Sequence, residues 1–281
     1  MQSKGDRLLN IDIVHLIAMS MPAGSPMLSD RENLCQIITA LALKAGDEIL
    51  TIYNRDFDVA TKDDESPVTE ADVAAEKIIL EGLVSATPDI PVLAEESVAE
   101  GRIPDLSGGT FWLVDPLDGT KEFVHKRGEF TVNIALVENG KPTMGVIHVP
   151  AKDTTYYAFG SGNAWMMENR GTPYRIEARE APAEGLTVVA SRSHRTPETD
   201  DYISRYTVAD LISAGSSLKL CILAEGKADL YPRLGRTMEW DIGAGQAILE
   251  AAGGAVETLE GASLSYGKPG HDNPHFVAKG K

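Results

Sequence analysis

Two aspartates, Asp115 and Asp118, follow directly on the apolar run Phe111-Trp-Leu-Val114, with Pro116 after the first and Gly119 after the second. An apolar strand that runs into a turn fixed by proline and released by glycine can aim both carboxylates at one point. The same residues also make an ordinary surface Asx turn, and on this stretch alone the two readings balance. Two further acidic features favour the first. One is Leu93-Ala-Glu95-Glu96-Ser at the end of a second apolar run; the other is Glu239-Trp-Asp241, which opens a stretch rich in alanine and glycine. If Glu95, Asp115, Asp118 and Asp241 converge, each pair of like charges about 4 Å apart costs on the order of 4 kcal/mol at an effective dielectric near 20. Such a cluster must take up protons or cations. Oxygen-only ligands with no accompanying His and Cys set select a hard cation, and magnesium is the first choice where a phosphate completes the coordination.

The elements that must position these acids are legible in outline. Ser29 and Glu32 have the spacing of a capping box at the head of a long amphipathic helix with Leu34, Ile37, Ile38, Leu41, Ile49 and Leu50 on its apolar stripe. Thr69-Glu-Ala-Asp72 repeats the pattern for a second helix, whose inward positions are Ala75, Ile79, Leu80, Leu83 and Val84 and which Pro88 terminates. The runs 91–94 and 111–114 predict buried strands that deliver acids to a sheet edge. From Phe130 to Trp165, alternating runs with a turn at Asn139-Gly140 predict an antiparallel meander. Past a weakly patterned link at 170–182, strands at 186–190 and 228–231 alternate with helices at 217–224 and 241–252. The organisation predicted is a poorly specified extension over 1–28, with Met27 an alternative start, then an α+β half over 29–182 and an α/β half over 183–281 that completes a site between them.

Composition limits the partners. The 281 residues carry 42 acidic and 26 basic side chains, a net charge of -16, which repels nucleic acid and anionic membrane surfaces. A small phosphorylated ligand is also anionic, so bound metal ions would have to reverse the local field. Cys35 and Cys221 lie in apolar runs and read as buried free thiols, consistent with a reducing cytoplasm. The N-terminal apolar stretch is broken by Asp12 and His15 and does not read as a signal peptide, and no run reaches the roughly 18 residues that span a bilayer.

Taken together, Asp115-Pro-Leu-Asp-Gly-Thr120, Glu95-Glu96 and Trp240-Asp-Ile-Gly-Ala-Gly245 resemble the signature of the inositol monophosphatase superfamily. Within it, Leu117-Asp-Gly-Thr-Lys-Glu-Phe123, Gly128-Glu-Phe-Thr-Val-Asn133, Ser191-Arg-Ser-His194, Gly215-Ser-Ser-Leu-Lys219 and Leu230-Tyr-Pro-Arg233 look like the bacterial 3'(2'),5'-bisphosphate nucleotidases of sulfur metabolism. The likeness runs from about Asp30 to the C-terminus. Ile242 and Gly243 depart from the small residues, alanine or threonine, usual after the aspartate, and neither change removes a ligand.

The resemblance implies a layered αβαβα sandwich and hydrolysis of the 3'-phosphate of 3'-phosphoadenosine 5'-phosphate to AMP and phosphate. It implies two to three magnesium ions. Glu95, Asp115 and the carbonyl of Leu117 would hold one, and Asp115, Asp118 and Asp241 a second, with a weaker third ion near Glu95. Thr120, hydrogen-bonded to Asp72, would orient the attacking water. An inositol or sugar phosphate phosphatase of the same fold and a non-catalytic ligand-binding protein are the alternatives. The family permits a monomer or weak dimer, cytoplasmic, with some bacterial relatives peripheral on the inner face of the membrane; nothing basic or amphipathic here calls for that attachment.

Several of these residues have simpler readings. Asp72 is also the N3 member of a helix cap, and Thr120 can be a cap itself. Glu96, next to Glu95 on a strand, would face the opposite way. The amides of Gly119 and Thr120, opening a helix, would point at phosphate oxygens. His194, Ser216, Ser217, Lys219 and Arg233 are donors suited to a second phosphate, or ordinary polar surface. Lys121 is either a salt-bridge partner or a substrate contact. Trp240 reads as a core anchor beside a ligand and His148 as structural.

Overall fold

The computed structural model describes residues 26–61, 67–192 and 195–281. Most of the expected extension over 1–28, together with His194, lies outside these residues. The elements in chain order are α1 (Pro26–Tyr53), a two-stranded pair β1 (Val59–Thr61) and β2 (Pro67–Thr69), α2 (Glu70–Ala86), β3 (Val92–Ala94), α3 (Glu95–Ala99), β4 (Thr110–Asp118) and α4 (Thr120–Val124). Then come β5 (Thr131–Glu138), β6 (Lys141–Val149), β7 (Thr154–Ala158), β8 (Ala164–Glu168), β9 (Tyr174–Arg175) and β10 (Leu186–Ser191). The chain finishes with α5 (Pro197–Ile203), β11 (Val208–Ala214), α6 (Leu218–Ala224), β12 (Leu230–Arg233), α7 (Glu239–Ala251), β13 (Ala255–Thr258) and β14 (Phe276–Lys279).

Two sheets organise the molecule. The larger runs β3 to β9 in sequence order, parallel between β3 and β4 and antiparallel thereafter, so the expected meander is present. The smaller has the order β11-β10-β12-β14-β13, parallel around β10 and antiparallel around β14. Successive residues of one strand face opposite sides of a sheet, and here both sides are buried. On β4, Trp112 and Val114 pack with α1 and α2, whereas Phe111 and Leu113 pack with α6 and α7. On β12 and β14, Tyr231 and Phe276 face α6 and α7 while Leu230 and Val277 meet Ile203 of α5. Helix pair, sheet, helix pair, sheet, helix: this is the αβαβα sandwich, and its two-sided burial is why the strands read as unbroken apolar runs.

Close approach of layers depends on absent side chains. A Cβ on Gly145 of β6 would come within 2.5 Å of the Ala244 carbonyl on α7, and one on Gly243 within 2.8 Å of Leu113. Gly243 thus lets Leu113 of β4 lie against α7 without shifting.

Four expectations need correction. Helix α1 begins at Pro26, so Ser29 lies inside it and cannot be its N-cap. Val84 is 57% exposed and Ile37 38% exposed, so neither belongs to the inward stripe of its helix. Glu95 and Glu96 are not strand residues: β3 ends at Ala94 and both open α3. Their side chains nonetheless separate, Glu96 into the interior and Glu95 toward the cavity described next.

Candidate active site

Strand β4 is irregular where it matters. Asp115 pairs with Asn133 and Asp118 with Thr131, so two residues of β4 oppose one of β5. Pro116 sits in this bulge because it has no N–H to offer the ladder. The Leu117 amide turns back to donate to Asp115 Oδ1 at 3.0 Å. The Asx turn and the aiming of carboxylates, alternatives in the sequence, are one structure. Gly119 then adopts φ 91°, a left-handed conformation that glycine takes without strain, and α4 begins at Thr120.

Oxygens of Asp115, Asp118 and Asp241 lie within 4.8 Å of one another. Asp115 is almost wholly buried. Asp241 arrives from the first turn of α7, where its Oδ2 accepts from the Met238 amide at 2.8 Å. Burial, reinforced by the charges of Asp118 and Glu95, raises the Asp241 pKa to about 8. Burial likewise raises Asp118, against the opposing pull of Lys219 and of hydrogen bonds from Ser217. The donor set is carboxylate oxygen throughout and carries concentrated negative charge, which fits a hard divalent cation.

Beside this cluster the second capping box is realised, and it serves two purposes. Thr69 caps α2, while Asp72 Oδ2 accepts from the Thr69 amide at 2.8 Å and from its hydroxyl at 2.7 Å. The other oxygen of Asp72 accepts from Thr120 Oγ1 at 3.2 Å, and the Leu117 carbonyl is a second acceptor for that hydroxyl at 3.3 Å. A buried cap residue and a Thr120 partner are therefore the same carboxylate.

Most of the predicted residues line one cavity of about 510 Å³, where Glu95, Asp118, Gly119, Thr120 and Asp241 share the wall with Lys219, Arg233 and Arg236. Ser216 lines it as well, in a left-handed conformation with φ 45°. Ser217 is differently employed: its amide and hydroxyl reach Asp118 Oδ2 at 2.6 and 2.8 Å, and the hydroxyl also lies 2.5 Å from the Asp241 carbonyl. Asn133 Nδ2 donates to the same hydroxyl at 2.9 Å. Lys219 is buried, and its ammonium donates to the Ser216 carbonyl and lies 5.5 Å from the Tyr231 ring centre. Burial lowers its pKa to about 8 in spite of the favourable charge of Asp118. Lys121 is exposed at the cavity rim.

Trp240 is buried in the core between the sheets and also meets the cavity wall, with its ring 6.0 Å from that of His271. His148 is structural as expected: it is buried, its Nδ1 is 2.9 Å from Thr155 Oγ1, and burial lowers its pKa to about 4. Both cysteines are buried and free. The sequence reading missed Asn133, Glu122, Ser191 and Arg236 at or beside the site. Asn133 left a signal, since it is the polar interruption of the apolar run in β5.

Residues 30–277 match the inositol monophosphatase family, and the chain belongs to it. Members of this family are metal-dependent phosphatases, and the three-carboxylate cluster is the feature here that suits such a cofactor. The chain is 47% identical over 237 residues to the 3'(2'),5'-bisphosphate nucleotidase CysQ of Salmonella typhimurium, covering 84% of this chain and 93% of the relative. It is 33% identical over 261 residues to CysQ of Haemophilus influenzae, covering 90% and 95%. Among solved structures, CysQ from Bacteroides thetaiotaomicron superposes with a TM-score of 0.73 at 39% identity, over 92% of this chain and 99% of that one. The Thermotoga maritima IMPase superposes at 0.70 and 28% identity, over 85% and 89%. Among the described residues no helix is long and apolar enough to cross a membrane.

Proposed function

We infer that this chain is a 3'(2'),5'-bisphosphate nucleotidase, a phosphoric monoester hydrolase that removes the 3'-phosphate of 3'-phosphoadenosine 5'-phosphate to give AMP and phosphate. The observation that carries the reading is the joint placement of the Asp115, Asp118 and Asp241 carboxylates with the Thr120–Asp72 pair at a cavity that Lys219, Arg233 and Arg236 also line. The 47% identity to a nucleotidase over most of both chains selects the substrate.

Two to three magnesium ions would serve as the cofactor. Glu95, Asp115 and the Leu117 carbonyl would hold one, Asp115, Asp118 and Asp241 a second, and Glu95 would help hold a weaker third. Bound there, such ions make water more acidic and offset charge on the attacking and leaving oxygens. The protein's own contribution is orientation. Thr120 donates its single hydroxyl proton to Asp72 Oδ1, which leaves its oxygen lone pairs to accept from an attacking water and so fixes that water's direction. The proton taken from water passes through Thr120 Oγ1 to Asp72. Ser217 fixes Asp118 Oδ2 with two hydrogen bonds and thereby the angle at which that carboxylate faces the cavity.

The amides of Gly119 and Thr120 cradle the transferred phosphate. Lys219, Arg233 and Ser216 face the remainder of the nucleotide, Ser217 serves it indirectly through Asp118, and His194, outside the described residues, is assigned to it from the sequence alone. The residues 29–182 carry the metal-holding turn, and 183–281 close the site over it. The working state is a monomer or weak dimer in the cytoplasm. Phosphate release from 3'-phosphoadenosine 5'-phosphate, compared with inositol 1-phosphate and fructose 1,6-bisphosphate in magnesium, tests the reading. A preference for the nucleotide that Asp115→Asn abolishes is expected, and a preference for a sugar phosphate overturns the substrate assignment.

A further inference from the structure

Glu76 is a glutamate on the apolar side of α2, 3% exposed, one helical turn beyond Asp72 and away from the cavity wall. Burying a carboxylate among aliphatic side chains is costly unless its oxygens are satisfied. Here both are satisfied by α3: Oε2 accepts from the Glu96 amide at 2.8 Å, and Oε1 from Ser97 Oγ at 2.6 Å. Ser97 Oγ in turn accepts from the Arg102 guanidinium at 3.1 Å. The first turn of a helix leaves amides without intrahelical partners, and the N-cap of α3, Ala94, has no side chain to cap them. Glu76 supplies the missing cap from a different helix, at the residue directly after Glu95.

We propose that Glu76 is a positioning residue that sets the orientation of Glu95 and hence the affinity of the site for its divalent cation. The inference rests on the assignment of Glu95 as a metal ligand. Helix α2 then acts as a common mount: its N-terminal turn holds Asp72 against Thr120, and its next turn holds the helix that bears Glu95. The two halves of the chemistry, water orientation and cation binding, keep a fixed spacing because one rigid helix carries both. A short helix such as α3 has too few internal hydrogen bonds to hold its own direction, which is why an external clamp matters here.

The test is Mn2+ binding to the purified full-length protein, followed by the electron paramagnetic resonance signal of free Mn2+, for wild type, Glu76→Ala, Glu76→Gln, Ser97→Ala and Glu95→Gln. Loss of a partner that orients a ligand weakens metal binding about 10- to 100-fold, and Glu76→Ala is expected in that range. Glu76→Gln, which still accepts from the Glu96 amide and can donate to Ser97 Oγ, restores affinity to within about threefold of wild type. Ser97→Ala, a milder change that carries the test if Glu76→Ala does not fold, weakens binding less than Glu76→Ala. Wild-type Mn2+ affinity in folded Glu76→Ala or in Ser97→Ala, alongside weakened binding in Glu95→Gln, overturns the positioning role and leaves the metal assignment standing. Unchanged affinity in Glu95→Gln overturns the ligand assignment and this inference with it.

Discussion

Replacing Asp241 by asparagine should make the metal-free protein more stable, by an amount that grows as pH rises from about 4 to about 8. The carboxyl is lifted from its ordinary 3.8 to about 8 by burial and by Asp118 and Glu95. A group with a raised folded-state pKa keeps its proton in the folded chain and loses it in the unfolded one, so its stabilising contribution is full below about pH 4 and vanishes as pH rises through 8. About four pH units at roughly 1.4 kcal/mol each set an upper bound near 6 kcal/mol. Carboxylate oxygens up to 4.8 Å apart repel by about 3.5 kcal/mol per pair at an effective dielectric near 20. Because Asp241 lines a cavity open to solvent, screening leaves about 2 to 3 kcal/mol. Asparagine keeps an acceptor for the Met238 amide, so the cap of α7 survives the change. Thermal unfolding in EDTA at pH 8.5 should show Asp241→Asn melting about 5 to 8 °C above wild type, with the difference falling to about a third of that at pH 5 and closing below about pH 4. Added magnesium should stabilise wild type and have little effect on the variant. A variant no more stable than wild type at pH 8.5, or equally favoured at both pH values, refutes the argument.

Thr120→Val should lower kcat by about 10²- to 10³-fold with little change in KM, because it removes proton acceptance at the water while leaving the carboxylates in place; steady-state kinetics read the split. Gly145→Ala should cost about 1 to 3 kcal/mol in denaturant unfolding, since the new methyl meets the Ala244 backbone and no flexible side chain can yield. His148 should stay neutral down to about pH 4, seen as an unshifted imidazole resonance between pH 8 and 5. Its lowered pKa favours the folded state above pH 6.5, a contribution lost as pH falls toward 4. Cys35 and Cys221 should resist a thiol reagent in native protein and react on unfolding, because burial pushes both thiols well above their ordinary pKa.

Several features were decided by the sequence alone. Unbroken apolar runs at 91–94 and 111–114 require strands buried on both faces, and Thr69 with Asp72 requires a capped helix, whatever lies around them. The acid cluster was legible only from several motifs taken together, because a single carboxylate at a strand end or helix start is also an ordinary turn or cap residue. Other elements were not legible. Strand β11 is an edge with Val208 and Leu211 exposed, so it carries no apolar run, and β13 and β14 are four-residue strands whose register comes from their partners. The sequence put Ser217 among nucleotide contacts; the fold turns its hydroxyl onto Asp118 and the Asp241 carbonyl, because α6 is brought against α7 only when the sheets stack. Glu76 could be read as no more than a helix residue until α3 was placed above it. Local propensity and periodicity fix which residues start and end an element, since those depend on neighbours within a turn. Which carboxylate meets which donor depends on contacts between residues far apart in the chain, and those exist only once the layers have packed.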